Sequence, residues 1–122
     1  MKQLVTYNAL VGYELEKQRK QLGLEQADLV ERTGMSQPVL SRVEKGKASI
    51  TIDQLFLLCQ ALKVEPFEII RNAQSGVEVL KKEESIAIQT TKQVSKKSNE
   101  AGALLAGAAL GAVLGVLLTR NK

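Results

Sequence analysis

The chain has no histidine and no tryptophan, one cysteine and two prolines in 122 residues, and aromatic side chains make up 3% of it. Without histidine, and with Cys59 alone, neither a zinc site nor a Cys/His catalytic pair can be assembled. No other catalytic constellation stands out, so the chain reads as a non-enzyme that needs no cofactor. Cys59 falls in the apolar run Leu55-Phe56-Leu57-Leu58-Cys59, where a thiol reads as a small buried hydrophobe in a reducing compartment. Few prolines and phenylalanines beside plentiful Leu, Val, Ala, Glu, Gln and Lys favour helices over sheet. The stretch Met1 to Asn8 lacks the apolar core of a signal peptide.

Charge is placed unevenly. The formal net charge is +4, yet Val11 to Arg71 holds nine basic and nine acidic residues. The excess comes from Ser85 onward, where Lys92, Lys96, Lys97, Arg120 and Lys122 face a single Glu100. Attraction of the neutral part to phosphates must therefore arise from where its charges sit.

Helical periodicity organises that neutral part. Val11 to Leu22 forms a first helix, with Val11, Leu15, Gln18 and Leu22 on one face and Glu14, Lys17, Lys20 and Gln21 more outward. Gly23 stops it. A second helix runs Gln26 to Thr33, and Gly34 follows where positive φ suits glycine. Ser36 is a strong N-cap for a third helix reaching Glu44, with Pro38 in its first turn. Thr51 and Gln54 have the spacing of a capping box for a fourth, and Pro66 opens a fifth.

The second and third helices, meeting at one glycine, have the layout of a helix-turn-helix, whose second helix lies in the DNA major groove. Leu22-Gly23-Leu24-Glu25-Gln26, then Thr33-Gly34-Met35-Ser36-Gln37, then Ser41-Arg42-Val43-Glu44-Lys45-Gly46-Lys47, then Leu55 to Leu62 followed by Val64-Glu65-Pro66, occur in order. Together they resemble the Cro/phage-repressor-like (XRE) helix-turn-helix family over residues 11–71, roughly half the chain. The resemblance implies an all-α, five-helix domain (residues 9–72) that binds double-stranded DNA as a transcriptional regulator.

On that footing the outer face of the third helix is the reading surface. Gln37 suits adenine, Arg42 suits guanine or a phosphate, and Val39 suits a thymine methyl, with Pro38 and Ser41 between them. On an isolated helix the same side chains would read as a solvated face. Gln26, Ser36, Lys45, Lys47 and Arg19 are the candidates for the DNA backbone. Arg19 and Glu44 also stand where this family often holds an internal ion pair. Binding to a pseudo-palindromic operator implies a homodimer or higher homo-oligomer.

Beyond residue 72 the pattern changes. Val77, Val79, Ile86, Ile88 and Thr90 alternate around Lys81-Lys82-Glu83-Glu84, so residues 73–100 read either as a short hairpin or as a charged, partly helical linker. Residues 101–119 carry no charge, and as a helix they would span about 28 Å, close to a bilayer core. Ala103, Gly107, Gly111 and Gly115 recur every four residues, a small-residue face on which two helices can pack closely. The expectation is a transmembrane helix anchoring a cytoplasmic DNA-binding domain to the inner membrane, with lipid as a partner and Lys92, Lys96 and Lys97 on the inside. The alternatives are a soluble repressor or antitoxin self-associating through this helix, or a structural DNA-to-membrane tether.

Overall fold

The computed structural model describes residues 2–96 and 104–120. In chain order the elements are β1 (Gln3–Thr6), α1 (Tyr7–Gln21), α2 (Gln26–Thr33), α3 (Gln37–Glu44), α4 (Ile52–Ala61), α5 (Pro66–Lys81), β2 (Ile86–Gln89), α6 (Thr91–Lys96) and α7 (Gly107–Arg120). Helices dominate, as composition favours, and the one sheet among the described residues has two short strands.

Several ends follow from local chemistry. Thr51 Oγ1 accepts from Gln54 N at 3.0 Å and Thr51 N donates to Gln54 Oε1 at 3.0 Å, the reciprocal cap that starts α4. Ser36 Oγ accepts from Val39 N at 3.3 Å and starts α3, with Pro38 in the first turn. Gly34, at φ 75°, closes α2 in the left-handed region with nothing crowding the missing side chain, so backbone conformation alone demands glycine there. The sequence places α2 correctly at both ends.

The start of α1 is earlier than expected. It begins at Tyr7 because Thr6 Oγ1 accepts from Ala9 N at 2.9 Å, a cap that the apolar spacing from Val11 does not reveal. Its inner face also differs. Leu22 is 44% exposed, whereas Glu14 is only 6% exposed. Gly12 explains the register: a Cβ there would overlap the Val43 carbonyl oxygen, so α1 and α3 touch backbone to backbone at this point.

The α1 helix separates two cores. On one side Leu15 joins Leu29, Leu40, Val43, Leu58, Leu62 and Ile69, the interior of the helix-turn-helix. On the other, Ala9 and Leu10 meet Val5, Val77, Leu80, Ile86, Leu110, Leu114 and Leu117. The second core corrects three expectations. First, α5 runs for 16 residues to Lys81, so of the two readings left open for Val77 and Val79 the helical one holds and the hairpin does not. Second, Ile86 and Ile88 do form a strand, but its partner is β1, in parallel, with Gln3 opposite Ile86 and Thr6 opposite Gln89. A parallel pair requires a long crossover, here supplied by α1 to α5.

The third correction concerns the membrane helix. Within 101–119, residues 101–103 lie outside the described residues, Leu104 bridges to Leu4, and the helix starts only at Gly107. Leu110, Leu114 and Leu117, within the expected membrane span, are 0%, 4% and 5% exposed against α1 and α5. Among the described residues no helix is long and apolar enough to cross a membrane. Leu105, Leu110, Leu114 and Leu117 of this segment serve a protein core, while Leu104, Val116 and Leu118 stay exposed. Arg120 pairs with Glu83, fastening the end of α7 near the exit of α5.

Candidate nucleic-acid interface

The centre of the site is a buried ion pair. Arg19 of α1 donates from Nε to Glu44 Oε2 at 2.8 Å and from Nη2 to Glu44 Oε1 at 3.0 Å. Its remaining terminal nitrogen, Nη1, donates to the Leu24 carbonyl at 2.8 Å. Arg19 is 7% and Glu44 1% exposed. The hydrogen bond that Arg19 donates to Glu44 outweighs burial and raises the guanidinium pKa above its ordinary value. Three of the five guanidinium N–H groups are thus engaged inside the fold. Arg19 and Glu44 form the internal ion pair expected of them.

The pair is linked to the tip of α3. Gln26, at the start of α2, donates from Nε2 to Glu44 Oε1 at 2.8 Å. Gln37, the first residue of α3, donates from its own Nε2 to Gln26 Oε1. Arg19, Glu44, Gln26 and Gln37 thus form one hydrogen-bonded line from the interior to the tip of α3. Each amide is oriented by the group behind it. The line leaves Gln37 with a free carbonyl oxygen and a second N–H, an acceptor and donor side by side.

The other candidates divide by exposure. Gln37, Pro38 and Arg42 are exposed, as are Ser36, Lys45 and Lys47; Ser41 is half-buried. Val39 is half-buried and packs on the helix-turn-helix core, so part of its side chain faces inward. The Ser36 hydroxyl is occupied by its capping bond. Arg42, Lys45 and Lys47 concentrate positive charge at the end of α3 and just after it, in a domain that is neutral as a whole. At the head of α2, Glu25 N donates to Asp28 Oδ2 at 2.7 Å, which satisfies the cap and leaves the Gln26 amide to its two side-chain partners.

Two features escaped the sequence reading. One is the Gln26 bridge, since nothing in the spacing of two glutamines announces that they meet. The other is an exposed apolar face on α4 and α5, where Ile52, Phe56, Phe67 and Ile70 are 70%, 57%, 61% and 47% exposed. Here a signal was present: these helices carry more large apolar residues than one inward face accommodates.

Comparisons agree with this geometry. A helix-turn-helix family model matches residues 15–69. An uncharacterized HTH-type transcriptional regulator of Sinorhizobium fredii is 38% identical over 61 residues, spanning 50% of this chain and 79% of the relative. The clp gene regulator ClgR from Corynebacterium glutamicum superposes with a TM-score of 0.57 at 18% identity, covering 77% of this chain and 86% of that one. The restriction-modification controller protein C.Esp1396I does so with a TM-score of 0.53 at 22% identity, covering 57% and 88%. The two structures bear on the fold, and the relative and the family model on descent. On the strength of the matched segment and the α2–turn–α3 geometry within it, this chain belongs to the XRE-type helix-turn-helix family of transcriptional regulators.

Proposed function

We propose that the protein is a sequence-specific DNA-binding regulator that places α3 in the major groove of a pseudo-palindromic operator and binds as a homodimer. The observation that carries this reading is the line Arg19–Glu44–Gln26–Gln37. It presents Gln37 as a fixed donor–acceptor pair, the pattern complementary to adenine N7 and N6. Arg42, one turn and a half further along α3, supplies a fork for guanine or a phosphate. Lys45 and Lys47 supply affinity without base choice. DNA as the ligand places the protein in the compartment that holds the chromosome.

The apolar face of α4 and α5 supports the dimer. Covering a large apolar side chain is worth about 1.5–3 kcal/mol, and Ile52, Phe56, Phe67 and Ile70 are exposed together. Asp53 and Glu65 flank this face along with Lys63 and Arg71, all exposed, so both charge signs are available to a two-fold related copy. A second reading keeps self-association on α7, whose outward residues Ala112, Gly115 and Val116 are exposed. Gly115 faces open space, but Gly111 lies against the Tyr13 ring, Gly107 starts the helix at φ 55°, and Ala103 is outside the described residues. The four-residue repeat therefore does not present one free stripe, and the α4–α5 face is the stronger candidate.

Selection of bound sequences from a randomised duplex pool, followed by footprinting of the winner, tests the function. A two-fold related consensus with protected half-sites one helical turn apart is expected. Recovery of no consensus, with equal affinity for all duplexes, would rule out a sequence-specific regulator.

A further inference from the structure

Glu14 is a buried carboxylate that the reading surface does not use. It is 6% exposed, and among the described residues its ion-pair partner is Lys17, whose ammonium stands 3.4 Å away. The Lys17 side chain is 46% exposed, and the same ammonium lies 5.8 Å from the centre of the Tyr13 ring. A carboxylate beside an aromatic face is the combination that holds an alkylammonium group. Beside them opens a cavity of about 220 Å³ between three helices, walled by Tyr13 and Glu14 of α1, Asn72 of α5, and Gly111 and Gly115 of α7.

We propose that this cleft between α1, α5 and α7 binds a small organic cation, an alkylammonium, with Glu14 as its counter-ion, the Tyr13 ring as its face contact, and its charged group in the place of the Lys17 ammonium. The partner of this carboxylate within the chain is an ammonium at 3.4 Å on a side chain that is 46% exposed, so a ligand cation can compete for its place. A ligand ammonium with an apolar stem meets it from within the cleft, where Leu114 and Leu118 supply the apolar wall. Gly111 lets the Tyr13 ring lie close against α7, while the position beside Gly115 is open. A Cβ at Gly111 would come 2.9 Å from Tyr13 Cε1, and Gly115 has no heavy atom within 4 Å of the corresponding position. Because α7 and α1 are opposite walls of the cleft, occupancy favours their association and stabilises the fold in proportion to ligand concentration over Kd.

The test is a titration of the full 15N-labelled chain with n-butylammonium, and with 1-butanol as the neutral match. Saturable shifts confined to the amides of Tyr13, Gly76, Gly111 and Gly115 are expected with the cation and not with the alcohol. Lys17→Met removes the internal competitor and should tighten binding about two- to fivefold, the worth of an exposed ion pair. Glu14→Gln, close in shape, should abolish it. Equal shifts with butanol, no saturable shifts with butylammonium, or undiminished binding by a folded Glu14→Gln would each overturn the proposal. If Glu14→Gln does not fold, the comparison of butylammonium with butanol on the unsubstituted chain decides.

Discussion

Gln26 reaches Glu44 across 2.8 Å, onto the same oxygen that accepts from Arg19 Nη2 at 3.0 Å. A buried ion pair, which by itself contributes little net stability, here also aims an amide toward the protein surface. Removing either charge leaves the other uncompensated. Glu44→Ala and Arg19→Ala should each cost about 3–5 kcal/mol, and the double variant should cost clearly less than their sum. Thermal and urea melts of the cycle measure this, and strict additivity would show that the two residues do not interact.

Base reading and backbone binding should separate by mutation. Gln37→Ala and Arg42→Ala are expected to lose about 1–3 kcal/mol on the selected operator and to relax base preference at one position each. Lys47→Ala should weaken all duplexes alike and reduce the slope of log affinity against log salt by about 1. Binding isotherms on matched and mismatched duplexes at several salt concentrations provide both readings. Unchanged discrimination in both Gln37→Ala and Arg42→Ala would remove α3 from the role of reader.

Truncation inside α7 should be felt by the whole molecule. Leu114 is 4% exposed against α1 and α5, so Leu114→Ala should destabilise by about 2–5 kcal/mol. A single cooperative transition shifted to lower temperature is expected in circular dichroism. A helix that left the domain for lipid would instead give a melt insensitive to this change.

Burial, followed by the nearby Glu65 charge, pushes the Cys59 thiol up to about 11 from an ordinary 9.0. The folded state therefore holds this proton more tightly than the unfolded chain. Its contribution to stability is complete below pH 9 and is lost as pH rises toward 11, an effect on the order of 2 kcal/mol. Urea midpoints from pH 8 to 11 should fall more steeply for the native chain than for Cys59→Ala, whose buried site does not titrate. At pH 7–8 the native thiol should react slowly with thiol reagents, becoming reactive on unfolding.

The apolar face of α4 and α5 gives a prediction about assembly. Phe56 and Phe67 are 57% and 61% exposed, so Phe56→Glu should leave the fold intact while dissociating the proposed dimer. Sedimentation velocity should show a monomer, and operator affinity should fall because half-sites are then bound singly. A dimer that survives Phe56→Glu but is broken by Val116→Glu would move the interface to α7.

Legibility in the sequence followed the range of the interactions. Capping at Ser36 and Thr51, the left-handed turn at Gly34 and the α2 limits are written within a few residues of where they act, and all were readable. The pairing of Arg19 with Glu44 was readable through family resemblance, though its full burial was not. What stayed hidden joins distant segments. The strand character of Ile86 and Ile88 is local, but β1 as partner is not. The leucines of 110–117 are equally suited to lipid and to a protein interior, because periodicity records that a face is apolar and not what covers it. Gln26 and Gln37 carry no mark of their contact, since amides occur on any polar surface.

The parallel register of β1 with β2 imposes an order on the making of the molecule. Gln3 pairs with Ile86, and Leu4 also meets Leu104, so the segment synthesised early has its partners synthesised late. At translation rates of about 5–20 residues per second, the interval is on the order of 4–17 seconds. Throughout it Leu4 and Val5, later buried, have no sheet to join. The helix-turn-helix core, complete by Ile69, can form in the meantime, leaving α1 with one face satisfied and the other waiting. In the nascent chain the helix-turn-helix core can therefore precede the second core, whose seam closes only after β2 has been made.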